Sequence, residues 1–208
     1  MAYRKTAAEV RRLEAARERL VECATQVVAE VGWAQASVTA VADAAGIAAG
    51  SVYQHFPSKA ALAVEVFRRA ASREVDVLAE VLRSTDGSPV QRLARGVQVF
   101  ARRALENRGL AHALLAAPAE PSVGAERLDF RRRYHALFAE VVREGIDAGL
   151  LPRQDGQVTA AALTGAVGEV LVDPLGAGRT PAPDPEDLLA ELTALALRCA
   201  GARPESPP

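Results

Sequence analysis

Apolar residues return every three or four positions along this chain, and sustained period-two alternation is missing, so the pattern predicts helices throughout. Leu13, Ala16, Leu20, Ala24, Val27, Val28 and Val31 form the first stripe, opened by the capping-box spacing Thr6-Ala-Ala-Glu9 and closed at Gly32. Trp33 follows as a plug between helices. Ser37 is placed to cap a short helix over 38–45 that Gly46 stops, and a second short helix is expected over 48–55 because Pro57 blocks its continuation. Residues 59–83 contain neither Gly nor Pro, and Leu62, Val66, Phe67, Ala70, Val77, Leu78 and Val81 give them one apolar face. At 1.5 Å per residue this is a rod of about 37 Å, long enough to join two domains. After a break at 84–89, with Ser88 and Pro89 as cap and first helical residue, further helices are expected over 89–107, 110–117, 123–148, 156–172 and 185–200. Gly109, Pro118, Pro121, Gly149 and Pro152 punctuate them, 173–183 reads as a loop, and 202–208 as a disordered tail.

Composition narrows the class. Half of the 208 residues are hydrophobic but only 4% are aromatic, so the core must be built from Ala, Leu and Val, which favours an all-α fold. Cys23 and Cys199 stand far apart in apolar helical stretches and read as buried thiols, with redox sensing as the alternative. The charged N-terminus resembles no signal peptide, and the longest apolar stretch, 158–172, is too short to span a bilayer and contains Glu169. A cytoplasmic protein without membrane contact is expected. The net charge is −1, with +1 on residues 1–60 and −2 on the rest, so any nucleic-acid contact must come from a few placed groups.

The helices 38–45 and 48–55, with Gly46 between them, have the lengths of a helix-turn-helix. Ala42 is small enough for the helices to cross closely, and Val41, Ala45, Ile47 and Val52 supply the apolar underside. Ala49, Gly50, Tyr53 and Gln54 then point outward. The run "SVTAVADAAGIAAGSVYQHFPSKAAL", preceded by "AEVGW", resembles the N-terminal domain of the TetR family of bacterial transcriptional repressors, matching at Ala42, Gly46, Gly50, Tyr53, His55, Phe56, Ser58 and Lys59. Ala48 departs from the pattern, since the family usually has a capping Ser there.

The resemblance implies an N-terminal three-helix DNA-binding domain (1–58), a connecting helix (59–83) and a C-terminal helical ligand-binding and dimerisation domain (84–201). Tyr53 and Lys59 are candidates for phosphate contacts, and Gln54 and Ala49 for reading adenine and the thymine methyl. Gly50 permits close backbone approach. Ser51 and His55 can add hydrogen bonds, with a structural role open for His55, and Ser37 and Thr39 can reach flanking phosphates. Arg4, Lys5, Arg11 and Arg12 can follow the neighbouring backbone.

In the C-terminal part no catalytic motif is found, His112 and His135 lack metal partners at ligand spacing, and no cofactor or enzyme activity is expected. Phe100, Leu115, Phe130, Tyr134 and Phe138 can line a ligand pocket or simply build the bundle, and Glu169 can orient a polar ligand or face solvent. The last two helices, one rich in small residues and one in leucine, suit a homodimer interface. The reading is a ligand-responsive repressor on a palindromic DNA operator, with an unknown small molecule as inducer. A helical small-molecule-binding protein or enzyme with an inherited helix-turn-helix, and a transcriptional activator, are the alternatives.

Overall fold

The computed structural model describes residues 6–116, 121–176 and 184–203. Arg4, Lys5, Pro118, most of the expected 173–183 loop and the tail from 204 lie outside them. The described residues form nine α-helices and one 3-10 turn. The first is α1 (Ala7–Gln35), where the Thr6–Glu9 capping box is complete, followed by α2 (Val38–Ala45), capped by Ser37, and α3 (Ala49–Val52). Next come α4 (Lys59–Leu82), α5 (Pro89–Glu106) and α6 (Arg108–Leu115). The 3-10 turn Pro121–Val123 leads into α7 (Gly124–Asp147), α8 (Gly156–Leu175) and α9 (Pro185–Cys199).

Packing explains where the helices depart from the periodic pattern. Gly32 is left-handed (φ 74°), but it interrupts α1 for one residue only, and the last turn swings Trp33 into the core at 4% exposure. Leu13 and Val31, expected on the buried stripe, are exposed instead. The helix expected over 48–55 shrinks to 49–52. Ala48 supplies no side-chain cap, and the amides of Ser51, Gln54 and His55 bond three residues back rather than four, the tighter pattern of fraying helix ends. At the other end α8 runs through Pro174 to Leu175, beyond the expected stop at 172. At 20 residues it is long and apolar enough to span a bilayer, unlike the shorter stretch counted from sequence. Seven of its residues are nevertheless buried in the protein. Ala202, expected in the tail, instead closes α9: its amide bonds the Leu197 carbonyl at 2.9 Å beside left-handed Gly201.

One continuous core joins the helices. Helix α4 is a shared wall rather than a free rod, packing on α1 at one end and on α5 and α7 along the rest. Arginines pin it to both neighbours. Arg68 and Arg83 make two-pronged contacts with Glu126 and Glu140 of α7, and Arg103 of α5 grips Glu74 at 2.7 and 2.8 Å. Buried Arg92 donates to the carbonyl of Leu82 at 2.7 Å, filling an acceptor at the end of α4, and pairs with Glu144.

Helix α6 lies against α1, and Gly109, which reads as punctuation in the sequence, sits inside it at the crossing. A β-carbon there would come within 1.9 Å of the Ala29 carbonyl oxygen. Gly109→Ala must therefore push the two helices apart, and it is expected to cost about 1–3 kcal/mol, read as a lower denaturation midpoint at unchanged slope.

Candidate nucleic-acid interface and ligand cavity

The head is built from α2, α3 and the second half of α1. Gly46 (φ 67°) turns the chain between α2 and α3, and the Ile47 amide closes the turn on the Ala42 carbonyl at 3.0 Å. Val41, Ala42, Ala45, Val52 and Phe56 are buried. That underside holds the opposite face outward: Thr39, Gly50 and Gln54 are exposed, Tyr53 is 53% exposed, and Ala49, Ser51 and His55 are half-buried. Arg17 lies 4.7 Å over the Phe56 ring and pairs with Glu65 at 3.0 Å, locking this corner to α4 and holding the Glu65 carboxyl below its usual range. Ser37 is exposed, and its hydroxyl accepts the Ala40 amide as the cap of α2. Lys59, in the first turn of α4, reaches the Trp33 carbonyl at 3.4 Å. Arg11 and Arg12 stand exposed on α1.

Gly50 is informative because the fold does not ask for it. Its φ is not positive, and an added methyl would meet no atom within 4 Å. A helical glycine costs about 1 kcal/mol relative to alanine, and nothing in the packing of the head offsets that cost at Gly50.

Behind the head, α1, α4, α5, α6, α7 and α8 enclose a cavity of about 760 Å³, the size of a small-molecule site. Phe100, Leu115, Phe130, Tyr134, Phe138 and Glu169, scattered over 70 residues, come together on its wall. Phe67 joins them, edge-on to Phe130 at 5.7 Å, and Phe100 stands edge-on to Tyr134 at 5.6 Å. Burial raises the Tyr134 pKa, keeping the phenol protonated as a hydrogen-bond donor. Sequence reasoning missed Arg127 and Arg131, which also line the cavity; their four-residue spacing on the face of Tyr134 and Phe138 was the available signal. No group of three or more potential metal ligands occurs among the described residues.

Cavity and head are linked through α6. The Trp33 indole nitrogen donates to the Ala113 carbonyl at 2.8 Å, and Arg108 donates to the Pro174 carbonyl of α8. The sequence placed Trp33 in a core but offered no hint of this partner, 80 residues away.

The structure thus joins a helix-turn-helix head to a helical body that surrounds a cavity. The pattern for bacterial regulatory proteins of the tetR family matches residues 20–66, and that for the tetracyclin repressor-like C-terminal domain matches 86–172. The chain belongs to the TetR family. It is 28% identical over 131 residues to the HTH-type transcriptional repressor KstR of Mycobacterium tuberculosis, a match covering 62% of this chain and 59% of that protein. The fold is shared with the transcriptional regulator FadR of Bacillus subtilis in complex with stearoyl-CoA (TM-score 0.73, 18% identity, 88% of this chain and 97% of that one). It is shared also with a Saccharomonospora viridis regulator in complex with choline (TM-score 0.75, 20% identity, 88% and 95%).

Gly50→Ala is expected to stabilise the protein by about 0.5–1 kcal/mol while weakening operator binding, a split that thermal melts and gel-shift titration together reveal. Tyr53→Phe and Lys59→Ala should weaken binding to all DNA sequences alike, whereas Gln54→Ala should relax base preference at one position.

Proposed function

We propose that the protein is a homodimeric transcriptional repressor that binds a palindromic operator and releases it when a small molecule fills the cavity. Each α3, with Tyr53 and Gln54, enters a major groove; Lys59, Thr39 and Ser37 hold phosphates beside it, and Ala49, Ser51 and His55 complete the contact. The cavity takes a largely apolar inducer against Phe100, Leu115, Phe130, Tyr134 and Phe138, with Glu169 at its rim. The protein works in the cytoplasm, without enzymatic activity.

The observation that carries this reading is the shared packing of cavity and head. Helices α4 and α6 both line the cavity, and both touch α1. A ligand that spreads them cannot leave the head where it was. Such coupling is worth about 1–3 kcal/mol, or about 5- to 150-fold in DNA affinity. The bound ligands of the two structural neighbours, stearoyl-CoA and choline, support a small-molecule effector of this body without fixing its charge.

The dimer forms through α8 and α9. The outer face of α8 leaves Val158, Ala161, Ala162 and Val170 exposed. The leucine stripe of α9 contributes less than its sequence suggests, because Leu189 and Leu192 are buried inside the chain, where α9 packs on α5.

A gel shift with the promoters of its own and adjacent genes tests the reading, and absence of a specific band at moderate salt overturns it. Trp33→Phe keeps an aromatic ring, though a smaller one, and removes the donor to Ala113; operator binding should survive while inducer-driven release weakens severalfold. Ala162→Asp should shift the sedimenting species from dimer to monomer and abolish tight operator binding together.

A further inference from the structure

Tyr134 of α7 carries a hydroxyl that the protein itself does not use. No hydrogen bond to it occurs among the described residues. The sealed side-chain atoms there that lack a partner are Arg92 Nε and His112 Nδ1, and the phenol oxygen is not one of them, so it opens onto the cavity that its residue lines. The group is nevertheless deep. Burial, with the Glu74 carboxylate nearby, raises its pKa and keeps the proton in place. Phe100 meets the ring edge-on at 5.6 Å, which fixes its tilt and so the direction in which the hydroxyl donates.

The other neutral polar groups of the wall are already committed or lie at the rim. Thr25 and Thr164 donate to the carbonyls of Val21 and Ala160, one turn back on their own helices, at 2.7 and 2.8 Å. The Asn107 amide donates to the Arg103 carbonyl at 3.2 Å, and Gln26 is exposed. The charges that act on the phenol are matched as well. Glu74 is held by Arg103 with two prongs, and Arg133 faces Asp76 at 3.7 Å. Tyr134 is therefore an uncharged donor in charge-balanced surroundings, and the space it opens on is lined beside it by Phe100 and Phe138.

We propose that Tyr134 is the polar anchor of the cavity and that the inducer is an apolar molecule bearing an uncharged carbonyl oxygen, which accepts the Tyr134 hydrogen bond while the hydrocarbon lies against Phe100 and Phe138. The proposal rests on the reading of this cavity as the inducer site. A carbonyl accepts the bond without bringing a charge into the wall. A carboxylate at the same place meets the Glu74 carboxylate, whose own charge is already answered by Arg103, and gives up its hydration. An ammonium has no lone pair to offer. A hydrocarbon with no acceptor strips solvent from the hydroxyl and leaves it buried without a partner.

Equilibrium titration of the full-length protein with methyl nonyl ketone, with the alkene in which a methylene group replaces its oxygen, and with decanoate tests the anchor and its charge. Each ligand is compared on the wild type and on Tyr134→Phe, so that its own transfer out of water cancels in the ratio. The ketone should lose at least about fivefold in affinity on Tyr134→Phe, while the alkene loses nothing. The infrared C=O stretch of the ketone bound to the wild type should lie below its value in alkane and return toward that value on the variant. Decanoate should bind the wild type more weakly than the ketone. Alkene binding by Tyr134→Phe shows that the variant is folded, and Tyr134→Leu takes its place if it is not. A ketone whose affinity and stretch ignore the loss of the hydroxyl overturns the anchor, and decanoate binding more tightly than the ketone overturns the uncharged group. Both results leave the cavity as an inducer site. Failure of all three probes to bind the wild type overturns the apolar inducer site together with the proposal.

Discussion

Helix α6 can lie on α1 only because Gly109 has no side chain. The contact brings the helices so close that a β-carbon would strike the Ala29 carbonyl, and much of the architecture follows from that approach. It brings the Ala113 carbonyl within reach of the Trp33 indole, whose N–H would otherwise be buried without an acceptor, a loss of about 1–3 kcal/mol. Trp33 can point that way because Gly32 adopts a conformation closed to most residues. Two glycines and one indole therefore bind the head to the body.

Helix α4 completes the linkage. Its apolar face, from Leu62 to Leu82, is buried, and this burial supplies the adhesion. The ion pairs along its edges are partly exposed and individually weak. Their two-pronged geometry fixes how α4 lies on α5 and α7. They hold the carboxyls of Glu126 and Glu140 below the usual range, so the stability they add is present above it and is lost as the pH falls through the lowered values.

The cavity is where core packing stops. Four of the five phenylalanines line it, in a chain with few aromatic residues. Large rings share its walls with Ala, Leu and Val and with charged side chains such as Arg73, Glu74 and Arg103, around a space of about 760 Å³. Helices α4 and α6 are walls of this space and also pack on α1, so the cavity and the head share their supports.

Much of the fold was legible along the chain. Caps at Thr6, Ser37, Ser58 and Ser88, the stop at Gly46, and the 3.6-residue stripes are local features, and each acts through hydrogen bonds or backbone angles within a few residues. The helix-turn-helix was legible for the same reason, since its parts are contiguous. Only tertiary structure decided what depends on distant neighbours. Gly109 and the leucines of α9 look alike in sequence whether they end a helix, pack inside or face a partner. Trp33 could not reveal Ala113; Phe100, Leu115, Phe130, Tyr134 and Phe138 could equally have filled a core, and Glu169 could have faced solvent. Sequence by itself determined the elements and the reading head, because those are set by short-range sterics and periodicity. The cavity, its arginine pair and the link between head and body came from packing, which brings residues together without regard to their separation along the chain.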